Sequence, residues 1–152
     1  MRTSSIGEAQ DALETILKAR NIMNSRGHKV PIDLGWPDKG PQPEHIWIGG
    51  DVDDWRQVQS VTGDMEVADR QETYVLKVRI LVAKRNSYQG ARDRLLALVA
   101  EVELALREYF TLAGAVWEGE LAGGSVGEEA NDEGHAVAAT LRLSMTAYLG
   151  PE

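Results

Sequence analysis

Apolar residues recur at helical spacing in two stretches of the chain and alternate with polar ones in several others. Ile6, Ala9, Leu13, Ile16 and Leu17 fall on one stripe, with Lys18 and Arg20 near the end where a helix dipole favours cations. Ser5 and Glu8 have capping-box spacing, so an amphipathic helix is predicted over 5–25, stopped by Gly27. A second stripe, Ala91, Leu95, Leu98, Val99, Val102, Leu106, Tyr109 and Phe110, predicts a helix over 88–110. Asn86 and Ser87 are placed to cap it, and Gly114 closes the region.

The strongest strand signal runs from Gln71 to Lys84. Tyr74, Leu76, Val78, Ile80 and Val82 form a fully apolar face that must meet a core. Val75, Lys77, Arg79, Leu81 and Ala83 form a mixed face left for solvent or a partner. A strand of about 14 residues exceeds the usual 3–10, which predicts a hairpin projecting beyond the sheet. His45–Ile48 predicts a short first strand ending at Gly49-Gly50, while 51–65 reads equally as strand or helix. Ala115–Leu121 and Val137–Ala147 predict two more strands, separated by a glycine-rich acidic loop at 123–134. Residues 31–43 hold four of the five prolines and two glycines, which excludes helix and central strand and predicts an extended arm or loop. The expected fold is therefore α+β: an antiparallel or mixed sheet of about four strands flanked by two helices, in the order α-β-β-α-β-β.

Composition narrows the classes. With 152 residues and 43% apolar content, one domain spanning 1–152 is expected. The absence of cysteine excludes disulfides and thiolate metal sites. There is no apolar run of the ~20 residues that cross a bilayer. An excess of 24 acids over 16 bases argues against wrapping nucleic acid. The expectation is a soluble acidic protein made in a reducing cytoplasm. Its net charge of −8 is segregated: +2 over 1–30, −7 over 31–72, +3 over 73–113 and −6 over 114–152. Negative charge thus gathers where irregular segments are predicted, a pattern that suits solvated loops that keep the protein soluble and equally self-association with defined orientation.

Candidate chemistry is sparse. Asp51, Asp53 and Asp54 are spaced to offer hard oxygen ligands to Mg²⁺, but an acidic interface or solvated loop reads as well. Gly123–Gly127 has the glycine content of a phosphate cradle, yet Glu128 and Glu129 stand where a P-loop needs Lys and Ser or Thr. His28, His45 and His135 form no ligand pair, and no nucleophile elbow is present. No catalytic residue, metal set or cofactor is therefore assigned. Trp36 and Trp55 lie in or beside irregular acidic segments, which makes them candidate interface aromatics, with a core or loop-anchoring role as the other reading. Lys77 and Arg79 are candidate partners for acidic segments of a neighbouring copy.

Three stretches carry a family resemblance. Arg70-Gln71-Glu72-Thr73-Tyr74 opens the long strand with an Arg-x-Glu-x-Tyr pattern. Ala91-Arg92-Asp93-Arg94 opens a helix rich in Leu, Val and Glu. Thr111–Trp117 leads into strand, acidic loop and Asp132-Glu133-Gly134. Over about 45–149 their order and spacing resemble the tail terminator (tail completion, minor tail protein U-like) family of long-tailed phages, found also in prophages and gene transfer agents. The resemblance implies a structural virion protein at the tail–neck junction, assembled in the host bacterial cytoplasm. It implies a ring, typically a hexamer, that caps the tail tube, stops its polymerisation and receives the head-side connector. DNA would pass through the lumen without specific binding, past acidic residues drawn from Asp51, Asp53 and Asp54 or Glu128, Glu129, Asp132 and Glu133. Another neck or head-completion protein, or a small α+β enzyme or ligand-binding domain, are the alternatives.

Overall fold

The structure is a computed structural model that describes residues 3–24, 26–38, 40, 43–61, 68–84, 87–131 and 134–150. Its elements are α1 (Ile6–Ala19), β1 (Ile32–Leu34), β2 (Glu44–Val61), β3 (Ala68–Lys84), α2 (Tyr88–Glu108), β4 (Glu118–Asn131) and β5 (Gly134–Gly150). The strands form one mixed sheet in the order β1-β2-β3-β5-β4. The expected α+β order is present, with one strand added inside the proline-rich arm. There Ile32–Leu34 runs parallel to Ile46–Ile48.

Alternation in the two central strands decides the layering. Tyr74, Leu76, Val78, Ile80 and Val82 of β3 are buried, as are Val137, Ala139, Leu141, Leu143, Met145 and Ala147 of β5. Register places each set beside the other on one face, Leu76 opposite Leu143 and Ile80 opposite Ala139. Ala9, Leu13 and Leu17 of α1 and Leu95, Leu98 and Val102 of α2 close over that face to complete the core. Neither helix covers the other face.

Several boundaries depart from the sequence pattern, each for a local reason. Helix α1 stops at Ala19 because Asn21 adopts a left-handed conformation (φ 53°), a common helix-ending device. The chain then folds back, with the Val30 N–H donating to the Ile22 carbonyl at 2.8 Å and Gly27 (φ 78°) in the turn. Helix α2 is capped by Ser87, whose hydroxyl accepts from the Gly90 N–H at 3.0 Å. It ends at Glu108, so Tyr109 and Phe110, expected on its buried stripe, are each 51% exposed. Leu112, Ala113 and Gly114 then take successive left-handed conformations that turn the chain into β4.

The largest correction concerns the acidic segments. Asp51–Asp54 is no loop: it lies within β2, which continues past Gly49-Gly50 through two register shifts, between Ile48 and Val52 and between Asp53 and Arg56. The run from Gly123 to Asn131 is strand rather than loop, paired with β5 throughout. A Cβ at Gly124 would sit 2.1 Å from the Thr140 carbonyl oxygen, so glycine there permits close strand approach. Gly123 (φ 129°) follows a bulge after Leu121. Asp132 and Glu133 lie outside the described residues.

The Ser5–Glu8 capping box does not form, because Ser5 has another partner. Glu72 of β3 is fully buried, and its carboxylate receives five hydrogen bonds. Oε1 accepts from the Ser5 N–H and hydroxyl, each at 2.7 Å. Oε2 accepts from the Ser4 hydroxyl at 2.7 Å, the Trp55 indole at 2.8 Å and the Gln57 amide at 3.1 Å. The Ser5 hydroxyl also meets the Tyr74 hydroxyl at 2.8 Å. Burial pushes the Glu72 carboxyl up, but the Ser5 N–H and the Ser4, Trp55 and Ser5 side chains outweigh it and hold it below its ordinary value.

A group with a depressed folded-state value stabilises the fold above its unfolded value and loses that contribution as pH falls through the folded one. Glu72→Gln, which turns an NH₂ toward this set of donors, is expected to cost about 2–3 kcal/mol at pH 7. Urea denaturation checks this. Below about pH 4.3 the wild type should lose stability faster than the variant, narrowing the gap between them.

Candidate interaction surface

The uncovered sheet face carries Asp53, Lys77 and Arg79 of the sequence-predicted residues, while Glu128 shares the register of buried Val137. On β3 it carries Thr73, Val75, Lys77, Arg79 and Leu81, and on β5 Thr140, Arg142, Ser144, Thr146 and Tyr148, none of them buried. Lys77 and Arg142 are directly opposed across the β3–β5 ladder, a repulsive placement for two cations. The irregular stretch of β2 resolves it. Asp53 Oδ2 lies 3.2 Å from Lys77 Nζ and 3.1 Å from an Arg142 guanidinium nitrogen. Asp54, in a left-handed conformation (φ 54°), places its carboxylate 3.3 Å from the other Arg142 nitrogen. The Lys77 ammonium holds the Asp53 carboxyl below its ordinary value; partial desolvation opposes this and Arg142 adds to it.

Asp53 and Asp54 therefore neutralise cations of their own chain rather than converging with Asp51 on a metal. Among the described residues, no group of three or more His, Asp or Glu side chains is arranged to hold one. Asp51 is exposed on β2, and Arg79 is exposed on the open face beside Trp47 and Thr140. Glu128 is exposed on β4, and Glu129 belongs to the same strand.

Aromatic residues frame this face. Near β1, Trp36 (65% exposed) packs edge-to-face on buried Trp47, their ring centroids 5.6 Å apart. His45, also buried, meets Asp33 at 2.5 Å and stacks edgewise on the same Trp47. At the far corner Trp117 (63% exposed) packs edge-to-face on Tyr148 at 5.4 Å. Trp55 is 56% exposed although its indole N–H is held by Glu72. Trp36 and Trp55 thus stand at the surface. Trp117, Tyr109 and Phe110 join them there, and the sequence pattern had assigned those three to a strand and a helix stripe. The signal available was Thr111–Gly114, a turn inserted between those two elements.

A cavity of about 610 Å³ opens at the start of α2, between Arg26, His28, Lys29 and Arg94. Arg94 is engaged within it, donating to Glu44 at 2.6 Å and to the Met23 carbonyl.

No family model matches the chain, and no curated protein matches it. Among solved structures it is similar to a chain from the virion of a native gene transfer agent particle. The identity is 13% and the TM-score 0.41, over 97% of this chain and 99% of that one.

Replacing Asp53 with Asn leaves Lys77 and Arg142 opposed without their shared carboxylate. The thermal midpoint should fall at low salt, and the difference should shrink toward 1 M salt, where screening reaches within about 3 Å. Thermal melts at two ionic strengths check this; a loss independent of salt would locate the effect in packing instead.

Proposed function

We propose that this chain is a structural protein of a phage-type virion, a tail terminator that closes into a ring on the tail tube. The observation that carries the reading is the one-sided sheet. One face is sealed by both helices, while the other face and its flanking edges display Trp36, Trp55, Val58, Trp117 and Tyr148 to solvent. Exposed apolar groups in such number mark contact surfaces. Proteins that assemble through opposite edges of one layer form closed rings when each contact turns by a fixed fraction of a circle.

The segments that resemble the tail terminator family fall on structural joints. Arg70–Tyr74 opens β3 and supplies Glu72 and Tyr74 to the clamp on α1. Ala91–Arg94 forms an early turn of α2, and Thr111–Trp117 is the turn that leads into β4. In such a ring, acidic residues with no cationic partner among the described residues, Asp51 and Glu120, suit a lumen that lets DNA slide, since like charge does not condense on phosphate. A tail tube protein on one rim and a head-side connector on the other are the partners this reading requires.

Electron micrographs of virions assembled without this protein test the reading. The expected result is headless tails of uncontrolled length. Tails of normal length joined to heads would overturn it.

A further inference from the structure

We propose that copies of the chain join head to tail across the two opposite edges of the open face, with Val58 of one copy against Trp117 and Tyr148 of the next, and Arg56 against Glu118. The inference rests on the ring reading above and names the joint that such a ring would use.

Strand register carries it. Arg56 pairs with Thr73, Thr73 with Thr146, and Thr146 with Glu118, so these four residues form one row across the sheet. Paired residues share a face, and Thr73 lies on the open one, so Arg56 and Glu118 both belong to that face. They stand at its two ends, on β2 and β4. The row below follows the same logic: Val58 pairs with Gln71, and Gln71 with Tyr148, which holds Trp117 edge-to-face. Two adjacent rows thus begin with Arg56 and Val58 at one edge. At the other they end in an acid and an aromatic pair.

Each end lacks what the other supplies. Neither Arg56 nor Glu118 has an ion-pair partner among the described residues, in contrast to Lys77 and Arg142 nearby. Val58 is 59% exposed, Trp117 63% and Tyr148 48%. Strand β1 borders β2 only at Ile46–Ile48, so the edge bearing Arg56 and Val58 is left open by it. At the opposite edge the Phe110 carbonyl accepts from the Gly119 N–H at 2.7 Å, so the backbone donor next to Glu118 is already occupied. The joint is therefore made by side chains. A second copy in the same orientation brings acid to Arg56 and aromatic rings to Val58 in one placement, and because the two surfaces differ, the contact repeats until it closes.

The chain has no cysteine, which makes the test direct. Residues 56 and 118 of one copy are three strand spacings apart, about 14 Å, so a thiol-reactive bifunctional linker shorter than that span joins only different copies. In the purified double variant Arg56→Cys/Glu118→Cys, the linker should give a ladder ending at the ring mass, and neither single variant should. Arg56→Glu should weaken association about tenfold or more, and adding Glu118→Arg should restore it. Both residues are exposed, so folding is preserved, and light scattering over a concentration series reads the assembly. Rings that form without the ladder, and that tolerate Arg56→Glu, would overturn this joint and leave the ring reading standing. A chain monomeric at every concentration would overturn both.

Discussion

Two helices cannot cover both faces of a five-stranded sheet. Strands β3 and β5 send half their side chains each way, and only the half bearing Leu76, Val78, Leu141 and Leu143 meets Leu13, Leu95 and Leu98. Everything else about the molecule is arranged around the face left over. On that face Lys77, Arg142, Asp53 and Asp54 neutralise one another, whereas Arg56 and Glu118 have no ion-pair partner among the described residues. Where it is aromatic, Trp117 packs edge-to-face on Tyr148 with both rings exposed.

Glu72 fixes where the covering layer sits. Its carboxylate would be costly to bury alone, and five donors offset that cost. They come from the start of α1 and from β2, so one side chain sets the position of the first helix against the hairpin. Trp55 is held by the same carboxylate while its ring faces solvent, which ties the surface of β2 to the interior of β3.

The parts of this arrangement that were legible in sequence are those governed by period. β3 was readable because one whole face is core, so every second residue had to be apolar. The stripe on α2 was readable up to Leu106 for the same reason. Beyond it, Tyr109 and Phe110 keep helical spacing without the helix, since left-handed residues at 112–114 end it and spacing carries no record of φ. The glycine-rich run at 123–131 reads as loop by composition, although at Gly124 the missing side chain serves strand pairing. The anchoring of α1 was invisible because Ser5 and Glu72 are 67 residues apart; only the Arg-x-Glu-x-Tyr pattern hinted that Glu72 mattered. The candidate surface was half legible: Trp36 and Trp55 were named from their surroundings, whereas Trp117 lay in a stretch that looked like strand.

The clamp on Glu72 also orders events during synthesis. Helix α1 leaves the ribosome before β3, and the carboxylate that receives Ser4 and Ser5 is encoded 68 and 67 residues after them. Until β3 has emerged, the helix has neither its anchor nor the apolar sheet surface it covers, and a single helix of 14 residues is marginal in water. The nascent chain therefore carries an undocked amphipathic segment until the β2–β3 hairpin brings Glu72 to Ser4 and Ser5.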